Sequence, residues 1–174
     1  MGNALQTIMN IPAMDIDQLF HEHHERVFQA AYRVSGNGQD AEDVLQTVFL
    51  NLIRRPPREM DNPASYLCRA AINRSLDVLR KRHAQPGDTE VELQTSESAS
   101  ESGLMQDELR SHLRRALAQI NPRGAEIFSL RFFEEFSNAE IAEILGTTPS
   151  SIGVTLHRTR DQLKTLLHEF EGES

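Results

Sequence analysis

Ser137-Asn138-Ala139-Glu140-Ile141-Ala142-Glu143-Ile144-Leu145-Gly146-Thr147-Thr148-Pro149-Ser150-Ser151-Ile152 is the stretch that decides the fold. Ser137 followed three residues later by Glu140 fits a capping box, in which the hydroxyl and the carboxylate each satisfy a backbone N–H at a helix start. Ile141, Ile144 and Leu145 give the helix one apolar face, and Gly146 ends it. Thr148-Pro149 then caps and opens a second helix. A short helix, a glycine turn and a longer helix make the helix-turn-helix pattern. In the longer helix Ile152, Leu156, Thr159, Leu163, Leu166 and Phe170 recur every three or four residues as the buried stripe. Ser150, Ser151, Val154, Thr155 and Arg158 are left facing outward. Their hydroxyls can meet base edges or phosphates, while Arg158, Arg160 and Lys164 can neutralise backbone charge. Small helical bundles also produce this pattern by packing alone, so spacing leaves both readings open.

Moving upstream, Asn121-Pro122 starts a helix with Ile127, Phe128, Leu130, Arg131 and Phe132, and Leu104, Leu109, Leu113, Leu117 and Ile120 mark another before it. Residues 84–103, AQPGDTEVELQTSESASESG, have almost nothing apolar to anchor them and read as a flexible acidic linker. Such a coil averages about 25 Å end to end and extends to about 70 Å. Ahead of it lie three helical patterns. Ile16, Leu19, Phe20, Val27, Ala30, Ala31 and Val34 form the first, ended by Ser35-Gly36-Asn37-Gly38. The second, with Asp40 as its expected N-cap, carries Ala41, Val44, Leu45, Val48, Phe49, Leu52 and Ile53 up to Pro56-Pro57. The third opens at Asp61-Asn62-Pro63 and runs to about Arg82. The expected fold is all-α. Two small helical domains (15–83 and 104–170) flank the linker at 84–103, with tails at 1–14 and 171–174.

Charge distribution matters more than its total. The 174 residues carry 18 Lys plus Arg against 26 Asp plus Glu, a net charge of -8, which by itself opposes nucleic-acid binding. Residues 83–108, however, hold seven acidic groups and no basic one, whereas residues 61–82 are +3. In this third helix Arg69, Arg74, Arg80, Lys81 and Arg82 gather towards the C-terminal end. That arrangement suits the helix dipole, and equally suits a helix laid along phosphates with Asn62, Ser65, Tyr66 and Asn73 available for bases.

Several chemistries are disfavoured. No apolar run approaches the roughly 20 residues that span a bilayer, and Gln6 stands where a myristoylation signal wants Ser or Thr, so a cytoplasmic protein without membrane insertion is expected. The lone Cys68 excludes an internal disulfide and reads as a small packed apolar group. His21-Glu22-His23-His24-Glu25 has Glu, not His, four residues after His21, so it lacks zincin spacing; a solvated helix face is the reading, with no metal. No phosphate loop, nucleophile elbow or carboxylate pair is present, so neither a cofactor nor an enzyme activity is expected.

Three motifs in order resemble one family. Asp40-Ala41-Glu42-Asp43-Val44-Leu45-Gln46-Thr47-Val48-Phe49 is similar to the core-polymerase-binding motif of bacterial sigma factors. Tyr66 to Arg82 resembles their promoter-melting and minus-10 helix, and Ser137 to Gly146 followed by Leu156-His157-Arg158-Thr159-Arg160 resembles their minus-35 helix-turn-helix. Two domains and a linker match the compact extracytoplasmic-function subfamily. The resemblance implies a factor that binds core RNA polymerase and directs promoter-specific initiation by recognising and melting promoter DNA. It also implies an anti-sigma partner.

By that resemblance Asp43, Gln46 and Phe49 dock on the polymerase's largest subunit, although Phe49's periodicity equally allows a core position. Asn73, Arg80 and Lys81 touch minus-10 DNA, the segment from Asp61 to Ser65 helps hold an extruded base, and the linker threads a polymerase channel or is a solvated spacer. Departures fall at Gly153 and Thr155, where the family commonly has Lys or Arg, at Tyr66 in place of Trp, and at Glu135 where Gly often precedes the helix-turn-helix. Two other readings stay open: a helix-turn-helix regulator acting without polymerase, and a sigma-like helical interaction protein.

Overall fold

The structure is a computed structural model that describes residues 14–85 and 101–172, all of it helix and connecting turns. Most of the linker expected at 84–103, and nearly all of the N-terminal tail, lie outside the described residues.

Local chemistry sets the helix ends. Helix α1 (Ile16–Ser35) starts where Asp15 accepts from the Gln18 N–H, and stops at Gly36, whose φ of 70° few other residues adopt. Helix α2 (Gly38–Arg54) is capped by Asn37, which accepts from the Asp40 N–H. Asp40 therefore lies inside the first turn rather than at the expected cap, because the Asn37 side chain claims the N–H groups first and Gly38 joins the helix. Helix α3 (Pro63–Ala84) begins at the expected Asn62-Pro63 cap and runs two residues past Arg82. Helix α4 (Glu101–Gln119) takes in three residues assigned by composition to the linker. Helix α5 (Pro122–Phe132) is capped by Asn121, α6 (Asn138–Leu145) by the Ser137/Glu140 capping box, and α7 (Pro149–Gly172) continues past the expected boundary at residue 170.

Helices α1 to α3 enclose one core built on Val27, Ala30, Ala31, Val44, Val48, Phe49, Leu52, Leu67, Cys68 and Ala71. Burial pushes the Cys68 thiol above its ordinary value, with Arg26 partly opposing the shift. The second core is not confined to the C-terminal half. It joins Leu117, Ile127, Leu130, Ile141, Ile152 and Leu163 to Val34 of α1 and to Ile72, Leu76 and Leu79 of α3. The two halves thus share an apolar seam. Each fully buried aliphatic side chain in it contributes about 1.5–3 kcal/mol before entropy is subtracted.

Polar contacts border the seam. Arg33 donates to Glu134 at 2.9 Å, Arg69 to Glu126 at 2.6 Å, and the Arg26 guanidinium lies 5.9 Å from the Phe136 ring centre. Arg114 of α4 packs against Gly36, where a Cβ would collide with its guanidinium. Desolvation there lowers the Arg114 pKa from its ordinary value.

Candidate polymerase and nucleic-acid interfaces

Helix α2 presents Asp43 and Gln46 to solvent, while Phe49 is only 5% exposed and meets Phe20 edge-on at 5.0 Å. At 100° per residue, six positions carry Phe49 120° away from Asp43, far enough to turn it inward. The exposed face continues instead through Leu50 and Ile53, 48% and 57% exposed. Sequence reasoning missed both, since Ile53 falls within the apolar stripe and a leucine beside that stripe carries no docking signal of its own.

Helix α3 divides its candidate residues between two faces. Tyr66 and Arg74, with Ala70 between them, line a groove of about 540 Å³ against Thr47, Asn51, Arg54 and Arg55 of α2 and its end. The Arg54-Arg55 pair was also missed; two adjacent cations just before Pro56-Pro57 were the available signal. An aromatic ring that is 41% exposed, beside three guanidiniums and two polar side chains, can stack a base and neutralise its phosphate. Asn73 points elsewhere, donating to Glu126 of α5 at 2.9 Å. Asn62 spends its carbonyl oxygen capping the helix through the Ser65 N–H, and Ser65 is buried, so these two shape the entry to α3. Arg80 pairs with Asp77 at 3.0 Å, Arg82 pairs with Asp40, and Lys81 is exposed.

The helix-turn-helix forms as its caps dictate. The Ser137 N–H donates to Glu140 and the Glu140 N–H to the Ser137 hydroxyl, which holds the Glu140 carboxyl below its ordinary value. Gly146 adopts φ 63°, and Thr148 accepts from the Ser151 N–H. Glu135, standing where glycine was expected, takes φ 59°, so the turn after α5 keeps a left-handed residue at a steric cost. On α7 the side chains of Ser150, Ser151, Val154 and Arg158 are exposed and Thr155 is half-buried. Arg160 lies on another side, its guanidinium 4.8 Å over the Phe132 ring. Ile152, Leu156, Thr159 and Leu163 are buried as expected, with Leu166 and Phe170 partly so.

At the remaining candidates, His24 stacks on Phe20 at 5.0 Å, and no group of three or more metal-ligating side chains occurs among the described residues. No described helix is long and apolar enough to cross a membrane.

Two family models match the chain, Sigma-70 region 2 over residues 19–85 and Sigma-70 region 4 over residues 110–163. It is 33% identical over 160 residues to RNA polymerase sigma factor CarQ of Myxococcus xanthus, covering 90% of this chain and 91% of that protein. It is 29% identical over 164 residues to the ECF RNA polymerase sigma factor SigE of Mycolicibacterium smegmatis, with 91% of this chain and 63% of that one covered. To SigW of Bacillus subtilis, another ECF factor, the identity is 25% over 158 residues, with 83% and 84% covered. With the helix-turn-helix and the three-helix unit ahead of it both built as described, the chain belongs to the extracytoplasmic-function subfamily of sigma-70 factors and directs transcription initiation with RNA polymerase.

Proposed function

We propose that three surfaces divide the work of initiation. The Asp43/Gln46 face of α2 docks on core polymerase, with Phe49 holding the helix beneath it. The α3 region, through Tyr66, Asn73, Arg74, Arg80 and Lys81 and with its entry shaped by Asn62 and Ser65, holds the opened minus-10 strand. The outward face of α7, through Ser150, Ser151, Val154, Thr155 and Arg158, reads minus-35 duplex, while Arg160 braces the helix from its other side against Phe132. The acidic linker joins the two DNA-binding units as a solvated or channel-threading segment. Polymerase does the bond chemistry, and this chain needs no catalytic group. The setting is the cytoplasm, and an anti-sigma factor is the regulator that the subfamily implies.

The observation that carries the minus-10 assignment is the groove between α2 and α3, which combines Tyr66 with Arg54, Arg55 and Arg74. A melted strand must be held by stacking and charge, since unstacking a base costs a few kcal/mol. Binding of single-stranded promoter oligonucleotides to the chain in complex with core should weaken by about 1–3 kcal/mol in Tyr66→Ala. Arg74→Ala and Lys81→Ala should each flatten the salt dependence by roughly 0.7. Unchanged affinity and slope in Tyr66→Ala and Arg74→Ala would remove this groove from the interface, and an unchanged slope in Lys81→Ala would remove the C-terminal end of α3.

A further inference from the structure

The groove between α2 and α3 is lined by Arg54, Arg55 and Arg74 and by no Asp or Glu. None of the three pairs with a carboxylate among the described residues, whereas Arg33, Arg69, Arg80 and Arg82 each hold one. Arg54 and Arg55 suit the dipole at the end of α2, but Arg74 stands in the middle of α3 and has no such reason to be there. Three guanidiniums around about 540 Å³, a volume in the range of ligand sites, call for a bound anion. Thr47, Asn51 and Arg54 form one straight stripe along α2, and Tyr66, Ala70 and Arg74 form the other along α3. Asn51 is the informative member. An amide in mid-helix is a poor helix former and belongs at caps. Asn37, Asn62 and Asn121 are such caps, and Asn73 is bonded to Glu126. Asn51 caps nothing; its side chain is exposed, with no hydrogen bond among the described residues. Among the described residues that line the groove, it alone carries a donor and an acceptor side by side, since guanidiniums only donate and the Thr47 and Tyr66 hydroxyls are single atoms.

We infer that Asn51 sets base specificity in this groove, and that the base is adenine. Its Oδ1 accepts from the adenine amino group and its Nδ2 donates to the adjacent ring nitrogen, while Tyr66 stacks the ring and the arginines hold the flanking phosphates. Adenine is the match because it alone offers a donor beside an acceptor on both its Watson–Crick and its Hoogsteen edge, and an unstacked base exposes both. Ala70, a single methyl between Tyr66 and Arg74, leaves the space that the ring needs. This role rests on the groove holding the opened strand, as assigned above.

The test uses the full-length chain in complex with core polymerase and a randomised pool of single-stranded DNA, with core alone as the control, and the bound strands are sequenced. The wild type should enrich adenine at one position at least about five-fold over the other bases. Asn51→Ala replaces an exposed side chain with a better helix former, so the fold is kept; it should abolish that enrichment and leave the preferences at other positions. An enriched strand in which purine, lacking the amino group, replaces that adenine should bind the wild type about five-fold more weakly and Asn51→Ala no more weakly than its parent. Adenine enrichment that survives in Asn51→Ala, an Asn51-dependent position that prefers another base, or losses from purine and from Asn51→Ala that simply add would overturn the assignment. So would an equal loss of preference at every position, the mark of a structural defect. Strand binding unchanged in both Tyr66→Ala and Arg74→Ala would instead overturn the groove reading on which it rests.

Discussion

The guanidinium of Arg160 lies 4.8 Å over the ring of Phe132, so a cation that the sequence groups with the recognition helix is held against α5. Nine positions separate Arg160 from Ser151, a rotation of half a turn around α7. Arg160→Ala should therefore cost about 0.5–1 kcal/mol of stability, read as a lowered Tm, while leaving the salt dependence of duplex binding nearly unchanged. Arg158→Ala should do the reverse, reducing the slope by about 0.9 with little effect on Tm. The opposite assignment of effects would place Arg160 on the DNA face.

Helix α2 makes a similar separation between surface and support. Asp43→Ala with Gln46→Ala should weaken the complex with core polymerase without lowering Tm, since both side chains face solvent. Phe49→Ala should instead destabilise the fold by about 3–5 kcal/mol, because it empties a site packed by Phe20 and the α1–α3 core. Leu50→Ala is the informative companion. It lies almost in line with Asp43, and a loss of core affinity without loss of stability would show that the docking face continues into apolar surface.

The C-terminal unit carries a glycine where a side chain would fit, at Gly153, and a side chain where glycine would fit, at Glu135. A Cβ on Gly153 would meet only Asn138 Nδ2, at an ordinary 3.8 Å, so Gly153→Ala should raise stability by about 1 kcal/mol. Gly153→Lys should add affinity for upstream duplex as well, and the absence of any gain would show that missing charge is not what weakens that contact. Glu135, at φ 59°, is the converse case, and Glu135→Gly should stabilise by about 1 kcal/mol. Denaturant titration resolves both changes.

The capping box makes the C-terminal unit sensitive to acid. Hydrogen bonds from Ser137 hold the folded-state Glu140 pKa below the ordinary 4.5. The stabilisation is therefore complete above that value and is lost as pH falls through the lower, folded one. Glu140→Gln keeps an acceptor that does not titrate, so its Tm should fall less steeply than that of the wild type below pH 4.5.

Most helix boundaries were legible because caps are local chemistry. Asn62-Pro63, Asn121-Pro122, Ser137/Glu140 and Gly146 each act within one turn, and each does so in the structure. The exception at Asn37 arose where two candidate caps, Asn37 and Asp40, compete within a turn. Phe49 was ambiguous because steps of three fall 60° short of a full turn each time, which brings a residue from the exposed face round to the core. The seam was not legible at all. Periodicity says that Ile72, Leu76 and Leu79 are covered, yet it is silent on whether α1 or a helix 40 residues downstream covers them. Glu126 gave no signal for the same reason, since its hydrogen-bond donors on α3, Arg69 and Asn73, are more than 50 positions away.

The central claim is that this chain gives polymerase its choice of promoter. It is tested most directly by transcription in vitro with core RNA polymerase over a genomic DNA library, followed by sequencing of transcript 5′ ends. The account predicts start sites that appear only when the chain is added, share two upstream elements, and decline together with complex formation in the Asp43→Ala, Gln46→Ala variant. A chain that forms no complex with core, or that adds no start site to those of core alone, would contradict it.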